Sequence, residues 1–167
     1  MEIKARLVKP YVTKAKEDFI VENNHNLGYE IKETDEALEA WGYTDKEKLA
    51  QLKDFMFSKN TSLAKQAVEN GYVNFKGAQF ETNAQTVGDL TASMLLVQQA
   101  GLETYSWLTK DDKVVELSLE DFGTLGSLIA QYKNSVWNEK YLNYKALIES
   151  AETVEELNGI ELIYQII

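Results

Sequence analysis

No cysteine occurs among the 167 residues, which rules out a disulfide framework, a thiolate nucleophile, a zinc–thiolate cluster and an iron–sulfur site. That fits a reducing compartment. Histidine is nearly as scarce: His25 is the one histidine available as a general base near neutral pH, and it stands in the polar run Asn23-Asn24-His25-Asn26. Such a position favours a solvated loop or a partner for a helix C-terminus. With no second histidine, transition-metal clusters have too few good ligands, and a Ser-His-Asp triad would have to recruit His25 without any G-x-S-x-G elbow. Neither G-x-G-x-x-G nor G-x-x-x-x-G-K-[ST] is present. The nearest stretch, Phe122-Gly123-Thr124-Leu125-Gly126, sits early in a helical pattern, where close helix packing is the expected use of its glycines.

Long apolar runs are also missing. Charges interrupt every short one at the N-terminus, so no secretion signal is expected, and no run of about 18 residues could span a bilayer. Basic residues are outnumbered, 17 against 27 acidic ones, for a net charge of -10. The averaged surface field repels phosphate backbones and anionic lipid headgroups, so neither direct nucleic-acid binding nor membrane insertion is expected. An acidic surface serves solubility, and the sharper alternative is a decoy that imitates nucleic acid. Adjacent Asp111 and Asp112 lack the alternation, glycine and distal glutamate of a calcium loop, and a solvated hairpin tip is the expectation there. A carboxylate pair for glycoside hydrolysis has no specificity as a signal when 27 acids are present. On these grounds the catalytic, cofactor-binding and metal-binding residues are none, and the protein is expected not to be an enzyme.

What is present is enough to fold. Hydrophobic residues make up 44% of the chain, with three Trp, nine Tyr and six Phe. Alternation of Ile3, Ala5 and Leu7 predicts a strand that Pro10 ends; Thr13 is placed to cap a short helix, and Gly28 leads into a second strand around Tyr29–Thr34, followed by DEALEAWG. This is a small β-α-β unit over residues 1–43. Thr44 with Glu47 forms a capping box, and residues 44–70 read as a connector of two short helices, bent at Ser58–Ser62 and closed by Gly71. From Tyr72 the period shortens: a hairpin turns at Lys76-Gly77, a helix capped by Thr86 stops at Gly101, and a second hairpin turns through Thr109–Lys113.

Ser118 with Asp121 opens a long helix. Phe122, Leu125, Ile129, Tyr132 and Val136 step by three and four, and after a one-residue offset Trp137, Tyr141, Tyr144 and Ile148 do the same. A stripe that long exceeds what a small sheet covers, which makes Trp137, Tyr141, Tyr144 and Ile148 the candidate interface for another chain or for self-association. Thr153 with Glu156 caps a short final helix, and an apolar tail, IELIYQII, must pair or pack. The fold class is α+β: the N-terminal unit, the connector, then two hairpins packed with helices in a domain over residues 71–167.

From Gly71 onward the order of pieces resembles a domain of unknown function found in phage and prophage tail-fibre-region proteins. The matching features are Tyr72-Val73-Asn74-Phe75-Lys76-Gly77 with Phe80-Glu81-Thr82, Trp107 before the Asp-rich turn, Val115-x-Leu117-Ser118-x-Glu120-Asp121, and Ala151-x-Thr153-x-Glu155-Glu156-Leu157. The front segment Glu39-Ala40-Trp41-Gly42-Tyr43-Thr44 is similar to leaders that accompany this domain. That family has no catalytic residues to carry over. The resemblance implies a structural or assembly component near the tail fibre or baseplate, made in the host cytoplasm and destined for the virion, acting through protein contacts. The alternative is an acidic inhibitor of a host defence system that mimics nucleic acid.

Overall fold

The computed structural model describes residues 1–164, and two compact units account for it: Met1–Asp54 with Glu152–Leu157, and Phe55–Ala151 with the segment that begins at Asn158. The division falls inside a helix, at Asp54.

In the first unit the alternating N-terminal stretch forms β1 (Glu2–Val8), and the second strand candidate forms β2 (Glu30–Glu33). Between them the chain makes helix α1 (Thr13–Ile20), which continues into a π-helical turn over Val21–Asn26. Thr13 does not cap it: Val12 occupies that position and no side chain bonds the first turn. The sheet has a third, central strand, β3 (Ala37–Gly42), antiparallel to both neighbours in the order β1-β3-β2. Its sequence, ALEAWG, shows no alternation of large apolar residues and carries a glutamate, all of which runs against strand propensity. Tertiary contacts decide it instead. Ala37, Leu38 and Ala40 are buried, and Glu39, 7% exposed, accepts from Arg6 Nε at 3.2 Å and from Trp41 Nε1 at 3.1 Å.

Helix α2 (Asp45–Asn70) begins with the expected capping box, in which Thr44 N–H donates to Glu47 at 2.8 Å and Glu47 N–H donates to Thr44 Oγ1 at 3.1 Å. It is one helix of 26 residues, not two. The polar run Ser58–Ser62 does not break it: Thr61 Oγ1 donates to Phe57 O at 3.0 Å within the helix, and Asn60 finds its partners outside it. Asn60 is fully buried; its Nδ2 donates to Tyr141 O at 3.2 Å, and its Oδ1 accepts from Tyr164 OH at 2.6 Å. A side chain so engaged no longer competes for nearby backbone groups.

Gly71 follows the last residue of α2 without positive φ, and its lack of a side chain has a steric reason. A Cβ there would lie 2.4 Å from Tyr132 OH, which donates to Ala67 O at 2.9 Å. The hairpin of β4 (Tyr72–Phe75) and β5 (Ala78–Glu81) then turns at Lys76 and Gly77, both at positive φ (49° and 73°), the pairing a two-residue turn of this hand requires. Lys76 is held there by Asp121 at 2.5 Å. Helix α3 (Ala84–Ala100) starts two residues before Thr86: Asn83 is the cap and accepts from Thr86 N–H at 2.8 Å, while Gly101 at φ 64° closes the other end.

The second hairpin joins β6 (Tyr105–Leu108) to β7 (Val114–Leu117), and α4 (Leu119–Asn134) follows behind the Ser118–Asp121 capping box. Its tip is not free in solvent. Asp111 accepts from Gln79 N–H at 2.9 Å, and Lys110 N–H donates to Gln79 O at 2.9 Å, so the loop docks on the edge of β5. Phe80, Leu90, Leu117, Phe122, Leu125 and Ile129 form the core of this unit, with Trp107 half-buried against it. Beyond a π-helical segment, Ser135–Tyr141, the helix resumes as α5 (Leu142–Ser150), and Thr153 caps the short α6 (Val154–Asn158). The fold is α+β, as the sequence implies.

Candidate protein-contact surface

The one-residue offset in the long stripe has a structural cause. A π-helical segment carries one extra residue per turn, and Ser135–Tyr141 sits where Val136 gives way to Trp137 as the inward position. Without it the second half of the stripe would rotate away from the first.

The structure brings the four candidate interface residues together on this chain's own elements. Ile148 is 0% exposed. Trp137, Tyr141 and Tyr144 are half-buried against a cluster of Ala64, Val136 and Tyr164, which Leu63, Ala67 and Val68 of α2 also cover. Trp137 meets Tyr141 edge-on, with centroids 5.3 Å apart, and Tyr144 lies 5.7 Å from Tyr164. Polar groups lock the arrangement: Tyr144 OH donates to Ile163 O at 3.2 Å and accepts from Ile163 N–H at 3.1 Å. Burial pushes the Tyr164 hydroxyl up to about 12, so it stays a proton donor to Asn60. The apolar tail thus packs as far as Tyr164, and its last three residues lie outside the described ones.

A different face is open. Between α3 and α4 runs a groove of about 460 Å³ with Leu90, Phe122 and Ile129 at its floor. Its walls are Val87, Thr91 and Met94 on one side and Gly123, Gly126, Ser127 and Ala130 on the other. The expectation that close helix packing explains Gly123 and Gly126 is corrected here. A Cβ built on either meets nothing within 4 Å, and the same holds for Gly88 on α3. None of these three has positive φ. Helical glycine costs about 0.5–1 kcal/mol relative to alanine, and no contact among the described residues offsets it. The sequence singles out Gly123 and Gly126 but not Gly88, and a helical pattern alone does not distinguish a packed helix face from an empty one.

The groove is also poor in charge. Lys133 is its one charged wall residue, and it makes no ion pair among the described residues. Helix α3 carries a single charge, Asp89, in 17 residues and leaves Leu95 (45%) and Leu96 (49%) exposed. A chain that is 26% charged keeps its charges elsewhere.

The remaining candidates go to structure. His25 is exposed in the π-helical turn after α1. Asp111 is held well below the ordinary carboxylate range by the Gln79 N–H first, then by Lys113 and Thr109. Among the described residues no group of three or more His, Asp or Glu is arranged to hold a metal, and no helix is long and apolar enough to cross a membrane. No protein-family model matches the chain, and no curated protein or solved structure matches it either.

Proposed function

We propose that the chain is a non-enzymatic phage or prophage component that works by protein contact, in the region of the tail fibre or baseplate. The observation that carries the contact reading is the α3–α4 groove: apolar, nearly uncharged, and lined by two helical glycines, Gly123 and Gly126, with empty space above them. Small residues at a helix surface let another backbone approach closely, and an apolar groove of this kind is the recognition mode for an amphipathic helix. The setting is supported by the order of motifs from Gly71 to Leu157 and implies synthesis in a bacterial host with the virion tail as destination.

The charge of -10 favours a second reading, an acidic inhibitor that occupies a basic nucleic-acid groove on a host defence protein. Crosslinking in host cells during particle production, read by mass spectrometry, separates the two. Tail-region proteins recovered with the parent and lost with Ser127→Lys support the contact reading. Host nucleic-acid-binding proteins recovered equally with both would overturn it.

A further inference from the structure

We infer that the α3–α4 groove is filled by α3 of a second copy of this chain, so that two α3–α4 pairs close into a four-helix arrangement about a two-fold axis. The inference rests on the reading of the groove as a contact surface and names its occupant.

Three observations single out a second copy. The first is charge: two molecules of net charge -10 repel each other, so self-association demands a face cleared of acid, and this face is cleared. The second is that α3 supplies both halves of an isologous contact. Its Val87, Thr91 and Met94 wall the groove, while Leu95, four residues after Thr91 and so adjacent on the helix surface, projects outward at 45% exposure. Leu95 of one copy can therefore lie on the Gly123–Gly126 shelf of the other, and the reverse. The third is the glycines. Gly123 and Gly126 are three apart on one side of α4 and line the groove with open space above them, so its α4 lip is flat where a third helix would rest.

Size sets the strength. A helix rises about 1.5 Å per residue and is about 10 Å wide, so two helices over a dozen residues offer a face about 20 Å square. Two such faces bury about 800 Å² in total, below the range of stable specific interfaces, so a weak, concentration-dependent dimer is expected.

The test exploits opposite signs. Gly123→Ala with Gly126→Ala fills empty space in a helix, so the double variant should melt at a higher temperature than the parent, yet it should dimerise at least about tenfold more weakly because the shelf is no longer flat. Sedimentation equilibrium of the full chain from low micromolar to near-millimolar concentration reads the second effect, and calorimetry on dilute samples reads the first. Leu95→Ala, at an exposed position, should also weaken the dimer about tenfold and leave the melting of the dilute protein unchanged. A parent that is monomeric throughout overturns the inference, as does a double alanine variant that dimerises as tightly as the parent. Should the parent be monomeric while Ser127→Lys still abolishes crosslinking to tail-region proteins, the second copy is excluded and the contact reading stands.

Discussion

The two compact units solve the same problem with different forces. In the first, β1, β2 and a short helix are largely exposed, and the buried apolar residues are Ala37, Leu38 and Ala40 of the central strand β3 together with Leu157. Charge pairs fill the gap: Arg6 spans Glu36 and Glu39, while Lys9, Lys16 and the Tyr11 hydroxyl converge on Glu33. The amino group of Met1 pairs with Glu47. In the second unit, Phe80, Leu117 and Leu125 lie in a continuous apolar cluster, and ion pairs such as Lys76–Asp121 and Lys113–Asp111 only fasten turns. Exposed pairs contribute about 0–1 kcal/mol each, whereas one buried aromatic contributes about 2–3 kcal/mol. The second unit should therefore carry most of the stability, and the first should follow solution conditions more closely.

Core truncation gives the largest expected effect. Phe80→Ala removes a fully buried ring and should cost about 3–5 kcal/mol, measured by urea unfolding with Trp107 and Trp137 as reporters. A cost below about 1 kcal/mol would break the claim that this cluster dominates. Asn60→Ala comes next, since it strands the Tyr141 carbonyl and the Tyr164 hydroxyl inside the packed row. About 1–3 kcal/mol is expected, lost from the second unit alone.

Arg6→Ala sharpens the contrast from the other side. It leaves the nearly buried Glu39 with Trp41 Nε1 and without a counter-charge, at a cost of about 1–2 kcal/mol, reported by Trp41 in a variant whose other two tryptophans are phenylalanine. Equal shifts at Trp41 and, in a companion Arg6→Ala variant that keeps Trp107 as its one tryptophan, at Trp107 would show that the units do not respond separately.

Acid should act in the same order. The Lys16 ammonium, the Tyr11 hydroxyl and Lys9 hold Glu33 down at about 2, and the Met1 amino group with Thr44 does the same for Glu47. A carboxylate depressed below its usual 4.5 contributes stability that is complete above 4.5 and is lost as the pH falls towards 2. The Trp41 signal should change across that window. Asp111 and Asp121 are lowered too, but the apolar core behind them should preserve the Trp107 signal to lower pH. Coincident loss at both tryptophans would remove the distinction. The smallest effect is that of salt: raising ionic strength to 1 M at neutral pH should lower the Trp41 midpoint slightly and leave the Trp107 midpoint unmoved or raised.

Much of this was legible in the sequence wherever the signal was local. The turn at Lys76-Gly77, the stop at Gly101 and the boxes at Thr44–Glu47 and Ser118–Asp121 depend on a few neighbouring residues, and each forms as the residue types imply. The caps expected at Thr13 and Thr86 missed by one and three positions: Val12 holds the first place without a side-chain bond, and Asn83 takes the second. Beyond local signals the reading weakened. ALEAWG has the composition of a helix and becomes the central strand of a sheet, because β1 and β2 each offer it a hydrogen-bonding edge.

By itself, then, the sequence determined the turns, most helix ends, the long stripe and its one-residue offset, the acid excess and the lack of thiols, since composition and short-range geometry suffice for all of them. Tertiary structure alone decided that Ser58–Ser62 stays helical around a buried Asn60, that Asp111 fastens a hairpin, that Trp137, Tyr141 and Tyr144 pack on their own chain, and that Ile148 is fully buried. It alone showed that Gly123 and Gly126 border empty space. The physical reason is common to these cases: whether a side chain is covered depends on segments distant along the chain, and periodicity reports which face a residue shares without reporting what lies across from it.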